Sequence, residues 1–307
     1  MKAFAATVIA AGVMATGASA QDWAPSRYGA DDRIGAANNL SPEIVVGAAE
    51  LVTEGAVYSL GMETGYDTPV YGNSRSFDII ISSSGANAEV GSDAITSNDD
   101  RLETHLGIGS QIDGLGHLGI GNQYYNGLTR DQIVRPNGLA ELGTHAIPPI
   151  VTRGVLLDMT AHYGVDMLEA GTAFNRAEID AAAAEQGVEI HSGDVVLFYT
   201  GWSGLIGEDN DTYRAQEPGL GVEGAQYLSD LGVVAIGSDT IALEAIPFED
   251  SAFAVHQTLL AKNGVYILES MNTGPLAADG VYEFLFVLGQ PKFVGSVQVV
   301  INPIAIR

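Results

Sequence analysis

The chain contains no cysteine. A disulfide framework is therefore excluded, and no thiolate is available as nucleophile or metal ligand. Lysine is nearly absent as well, with Lys2, Lys262 and Lys292 the only examples. Thirteen basic residues face 38 acidic ones, for a net charge of −25. Such a field repels nucleic acid and anionic membranes, so neither is expected as a partner. An acidic surface that keeps an exported protein soluble is a sufficient account of the charge. Beyond residue 20 no apolar run is long enough to cross a bilayer. Internal repeats, low-complexity tracts and long linkers are also missing, so residues 21–307 are expected to form a single domain. No GxGxxG or GxxxxGK[ST] run is placed after a strand, so no nucleotide cofactor is expected.

What is present begins with MKAFAATVIAAGVMATGASA. A basic start at Lys2, an apolar run and the small residues Ala18-Ser19-Ala20 read as a secretory signal peptide cleaved after Ala20. The expected location is periplasmic or secreted. Ser41-Pro42-Glu43 has the order of an N-cap, an N1 proline and an early acid. It predicts a helix of about fourteen residues stopped by Gly55. Residues 65–105 are rich in Ser, Asn, Asp and Gly and predict loops around one strand, Phe77–Ser82. From Val151 the pattern is regular. VTRGVLLDM, VVLFYTGW, VVAIGSD and VYILES predict buried strands, and VYEFLFVL and VGSVQVVINPIAI are apolar and β-prone. Asn175 followed by Glu178 offers a variant capping signal for a helix ending near Gly187, and further helices are predicted over Glu223–Leu231 and over Ala254–Lys262. This alternation argues for an α/β domain with a covered sheet.

The stretch that concentrates polar chemistry is HLGIGSQIDGLGH, residues 105–117. Read as an extended strand, it puts Gln111 and Asp113 on one face with Cα atoms roughly 6.6 Å apart, near enough to share an ion or a water. His105 would lie roughly 26 Å from Asp113, too far to join the same ion. Gly114-Leu115-Gly116 is turn-prone and would fold His117 back beside Asp113. Taken alone, the trio reads as structural hydrogen bonding or as metal ligation. Downstream, His256 falls on a predicted helix, and Asp239 and Glu269 end strands whose carboxyl ends open onto the usual ligand crevice of α/β sheets. His145, His162 and His191 read as structural, and Arg153 as an ion-pair partner. Trp202 and Tyr124-Tyr125 fit either an aromatic pocket or core packing.

These segments resemble a known family, the metal-dependent cyclases, which include kynurenine formamidases, isatin hydrolase and trans-dienelactone hydrolase. The resemblance spans nearly all of residues 21–307, through YGADDRIGAANNLSPE, TRGVLLDM, GDVVLFYTGW, GVVAIGSDT, FAVHQTLLAKNGVYILES, LAADGVYEFLFV and NPIAIR. The family hallmark H-x-G-T-H-x-D-x-x-x-H aligns with residues 107–117. Asp113 and His117 match it, Ser110 replaces the threonine, and Gly107 and Gln111 stand in place of the two earlier histidines. Gln111, Asp113 and His117, followed by Tyr125-Asn126-Gly127, are similar to the family's long-chain branch, which carries glutamine there.

The resemblance implies a swivelling β/β/α-type fold, with a mixed sheet or barrel-like core and flanking helices. It implies a homodimer or homotetramer acting on a small-molecule substrate. Gln111, Asp113, His117, His256 and Glu269 are the implied metal-site residues, and His117 and Glu269 the implied catalytic ones. The cofactor would be a divalent ion, Zn or Mn. Nitrogen and oxygen ligands with an open position suit an ion that acidifies water and polarises a carbonyl. Hydrolysis of a small cyclic or aryl amide is the expected activity, with a lactone hydrolase or a metal-free binding homologue as alternatives.

Overall fold

The computed structural model describes residues 22–72, 74–84 and 95–307, so the signal peptide expected at residues 1–20 lies outside the described residues. Among the described residues, nine strands join in one sheet. The strands used below are β1 (Val57–Ser59), β2 (Phe77–Ser84), β3 (Ser97–Thr104), β4 (Gln111–Asp113), β5 (Ile150–Asp158) and β6 (Val195–Tyr199). They continue with β7 (Ala235–Ser238), β8 (Tyr266–Glu269), β9 (Glu283–Leu288), β10 (Gln298–Val300) and β11 (Ile304–Ile306). The large sheet runs β1-β11-β9-β5-β6-β7-β8-β4-β10. Strands β5 to β8 are mutually parallel, and both arms attach antiparallel. The sheet is mixed and curled into a half-barrel with flanking helices, the fold class expected from sequence.

The parallel strands are buried from both sides. Val195 to Phe198, Ala235, Ile236 and Ile267-Leu268 are wholly inaccessible, as continuous apolar runs in a covered sheet require. The helices that cover them follow local signals. Helix α1 (Pro42–Ala49) is capped by Ser41, whose side chain accepts from Ile44 N. It is eight residues long, shorter than the predicted fourteen. The chain must turn early because the N–H groups of Glu54 and Ala56 both bind the Arg307 carbonyl, which lines up β1 beside β11. Helix α2 (Arg176–Gln186) has the predicted Asn175/Glu178 capping box and ends on left-handed Gly187. Helix α3 (Val222–Leu231) lies between β6 and β7. Helix α4 (Ala254–His256) has three residues and continues as a π-helix, Gln257–Asn263, where an unbroken α-helix was predicted.

The strand expected at Phe77–Ser82 is β2, and Ser97–Thr104, expected as loop, joins it in a hairpin. β2 and β3 pair in full register. Residues Ser97–Thr104 read as loop because their side chains are polar and exposed; backbone pairing makes them a strand all the same. One face of the ribbon carries Ile79, Ile81, Asp100 and Leu102, and the other Asp78, Ile80, Arg101 and Glu103, so neither face is purely apolar. Two glycine runs have GxGxxG spacing, and one, Gly114–Gly119, does follow β4 directly. It opens no helix and so offers no phosphate-binding N-terminus. The other, Gly219–Gly224, enters α3, where the Asn175 side chain already fills the space beside Gly221 and Gly224. Among the described residues, no helix is long and apolar enough to cross a membrane.

Candidate metal centre

The three residues Gln111-Ile112-Asp113 form β4, held between β8 and β10. Alternation sends Ile112 into the core beside Leu268 and Val299, all three with no exposed surface. The opposite face then carries Gln111 and Asp113. Register places Glu269 across from Gln111, and Gln298 across from Asp113. Four polar side chains thus meet on a sheet whose other face is apolar core. The extended geometry expected from residue 105 onward is confined to these three residues. The chain bends through 106–110, with Gly109 in the left-handed region (φ +59°) and packed against Thr64.

His256 closes the group from α4. Its Nε2 lies 3.1 Å from Glu269 Oε1 and 3.6 Å from Asp113 Oδ2. Asp113, His256 and Glu269 are buried, and one ligand atom from each falls within 4.8 Å of the others. Glu244 fixes the imidazole from behind. Its Oε1 is 2.6 Å from His256 Nδ1, and its carboxylate also accepts the backbone N–H groups of Val255 and His256. With Nδ1 engaged, Nε2 is left as the ring atom facing the two acids. A carboxylate behind a histidine is the usual support of a metal-ligating imidazole.

The electrostatics mark a deficit of positive charge. Burial raises the Glu269 carboxyl, and repulsion from Asp113 adds to it. Burial alone would lower His256, yet hydrogen bonds to Glu244 and Glu269 and their charges push it up to about 10. Three acidic side chains therefore crowd one imidazole. Asp113 Oδ2 is buried and has no hydrogen-bond partner, an arrangement that costs about 1–3 kcal/mol, and more for a charged group. An N1O2 donor set with an orphaned carboxylate oxygen at its centre fits a divalent cation.

The other predicted residues sort by geometry. His117 is brought back by a turn in which its N–H binds Gly114 O at 2.9 Å, and its Nε2 stands 3.8 Å from Asp113 Oδ2. Burial lowers its pKa; Asp113 opposes this, while His256 and Arg75 reinforce it. His117 is thus held neutral, beside the cluster. Gln111, expected among the metal-site residues, has its Nε2 donating to Glu269 Oε2 and, at 3.4 Å, to Asp113 Oδ1, so the amide faces both acids. Asp239, expected at the crevice, is a structural cap: it accepts from the backbone and side chains of Thr200 and Ser203. His105 is exposed, accepts Ser76 N and is not one of the three grouped residues. Arg153 pairs with Asp194 and Glu283. Tyr125 and Trp202 are core residues.

Sequence reasoning missed Glu244, Gln298, Arg75, Tyr71 and Phe253. A cavity of about 240 Å³ opens above the cluster, lined by the last four together with His117, His256 and Glu269. Arg75 donates to the Gly107 carbonyl, and Tyr71 and Phe253 meet edge to face at 5.6 Å. Buried Glu217 supports the wall by accepting the N–H groups of Ile241 and Ala242. Nothing in local periodicity marks these residues, since each arrives through tertiary register.

Comparison with known proteins bears on the whole arrangement. A crystal structure described as a novel cyclase is 29% identical, superposes with a TM-score of 0.83, and aligns over 91% of this chain and 98% of its own. An isatin hydrolase bound to the product analogue thioisatinate is 20% identical, with a TM-score of 0.62 over 87% of this chain and 98% of that one. A potential metal-dependent hydrolase with cyclase activity is 18% identical, with a TM-score of 0.53 over 81% and 98%. No curated protein matches the chain. The Cyclase family model matches residues 58–245, more than half of the sequence, from β1 through β4 to the wall of the cavity: the chain belongs to the Cyclase family.

Proposed function

We propose that this protein is an exported metal-dependent hydrolase that cleaves a small cyclic or aryl amide, with Zn or Mn as the ion. The observation that carries the reading is the partnerless Oδ2 of Asp113, buried and grouped with His256 and Glu269, which themselves line a small cavity. Asp113, His256 and Glu269 would hold the ion, and Gln111 would steady both acids. When bound, the ion supplies polarisation of a carbonyl and acidification of water.

The protein's own groups do the rest. His117, kept neutral by burial, accepts the proton of the attacking water at Nε2 and returns it to the leaving nitrogen. Arg75 places a fixed positive charge on the cavity wall, suited to the carboxylate that amide hydrolysis releases. Tyr71 and Phe253 offer flat apolar surface to a ring. The cavity of about 240 Å³ lies below the usual ligand-pocket range of roughly 300–1,000 Å³, which favours one small ring system over an extended chain.

The test is metal analysis of protein purified without chelator, followed by a hydrolysis screen with added Mn or Zn. The screen takes N-formyl aryl amines, isatin-like lactams and unsaturated lactones. The expected result is near-stoichiometric metal and turnover of amides or lactams. Turnover of lactones alone would support the lactone alternative. Absence of metal, with no thermal stabilisation by either ion, would leave the metal-free binding homologue. For export, the first residue of the protein recovered outside the cytoplasm should be Gln21.

A further inference from the structure

Gly107 is the position where the family hallmark has a side chain and this sequence has none. It lies outside the left-handed region, so its backbone does not demand glycine. The reason for the glycine is another residue. A Cβ built on Gly107 would fall 2.7 Å from Gln298 Cδ and 2.9 Å from Gln298 Nε2, overlapping the terminal amide of a glutamine from β10. That amide reaches the candidate metal centre. Nε2 of Gln298 donates to Asp113 Oδ1 at 2.8 Å and lies 3.4 Å from His117 Nε2. Its Oε1 also faces Gly107. Gln298 is set directly across the strand pair from Asp113 and lines the cavity.

We infer that Gln298 has taken over the place at the centre that a side chain at position 107 would occupy, and that it acts as the positioning residue for Asp113 and His117. By holding Oδ1 it leaves Oδ2 as the free oxygen of the carboxylate, turned toward His256 and Glu269. With the same Nε2 3.4 Å from His117 Nε2, it also holds the imidazole beside Asp113. Positions 107 and 298 are then alternatives, since the space admits a side chain from one of them. The inference rests on the metal reading above and adds a residue that the 107–117 motif does not contain.

The test is Mn and Zn affinity, measured by calorimetry on metal-stripped wild type, Gln298→Met, Gly107→Ala and the double variant. Methionine keeps the packing volume and removes the amide, so a role in packing alone would leave affinity unchanged. Loss of a supporting hydrogen bond of this kind lowers affinity about 10–100-fold, and that loss is expected for Gln298→Met. In Gly107→Ala the new methyl displaces the flexible end of Gln298, and affinity should fall likewise. The double variant should be no weaker than the weaker single, because both remove one interaction. The metal-free thermal midpoint reports that each variant is folded. If wild type binds the ions and Gln298→Met binds them equally well, this inference is overturned and the metal reading stands. Additive losses in the double variant overturn it too. If wild type binds neither ion, the metal reading fails and the inference fails with it.

Discussion

Replacing Asp113 by asparagine should make the protein more stable without metal and insensitive to metal. Asp113 is fully buried, its Oδ2 has no hydrogen-bond partner, and it raises the neighbouring Glu269 by repulsion. His256 already faces two other carboxylates, at 2.6 and 3.1 Å, against 3.6 Å for Asp113. The third negative charge is therefore surplus unless a cation is bound. Asparagine keeps Oδ1 for Gln298 and puts a donor beside Glu269. Removing a buried unsatisfied charge should stabilise the metal-free protein by about 1–3 kcal/mol. Wild type, by contrast, should gain about 2.7 kcal/mol at roughly 100 times the metal's Kd, a rise of several degrees in midpoint. Thermal unfolding of both proteins, with chelator and with Mn or Zn, reads out both effects. The reasoning is refuted if the asparagine variant is less stable than wild type in chelator, or if it responds to metal as wild type does.

Three further outcomes are expected. His117→Ala should bind metal like wild type and lose turnover on any substrate found, by about 10²–10⁴-fold if it serves as the proton carrier; a calorimetric titration beside the rate assay checks this. Glu244→Ala removes the acceptor that orients His256 Nδ1, so metal affinity should fall about 10–100-fold, measured by competition with a chelating dye. At acid pH the N-terminal segment should loosen. Although burial would raise Asp32, hydrogen bonds from Tyr125, Asn38 and backbone N–H groups hold its pKa below the usual carboxylate value. A depressed acid stabilises the fold above its unfolded pKa and loses that contribution as pH falls through the folded value. Tyr125→Phe should therefore move the acid-unfolding midpoint to higher pH, followed by tryptophan fluorescence.

Much of this molecule was legible because burial writes a pattern. Continuous apolar runs marked β5 to β8, and the Asn175/Glu178 pair marked the start of α2. The hairpin partner Ser97–Thr104 left no such trace, since an exposed strand has no apolar face to declare. The site divides the same way. Asp113 and Glu269 sit at strand ends and His256 at a helix end, positions that local patterns reveal, and the family resemblance joined them. Gln298 and Glu244 do not announce themselves. One reaches Asp113 across a sheet register set 185 residues away, and the other caps α4 from a loop. The single local sign of Gln298 was negative, the missing side chain of Gly107. The switch from α- to π-helix just after His256 is equally silent, because such switches at functional sites answer to tertiary geometry.

Whether Asp113, His256 and Glu269 hold one divalent cation, as proposed, is measured directly by anomalous diffraction from crystals grown with Mn or Zn. A single strong peak per chain is expected, bonded to Asp113 Oδ2, His256 Nε2 and a Glu269 oxygen, with the Gln298 amide on Asp113 Oδ1. A map with no peak among these three residues, or with the ion held elsewhere, would contradict it.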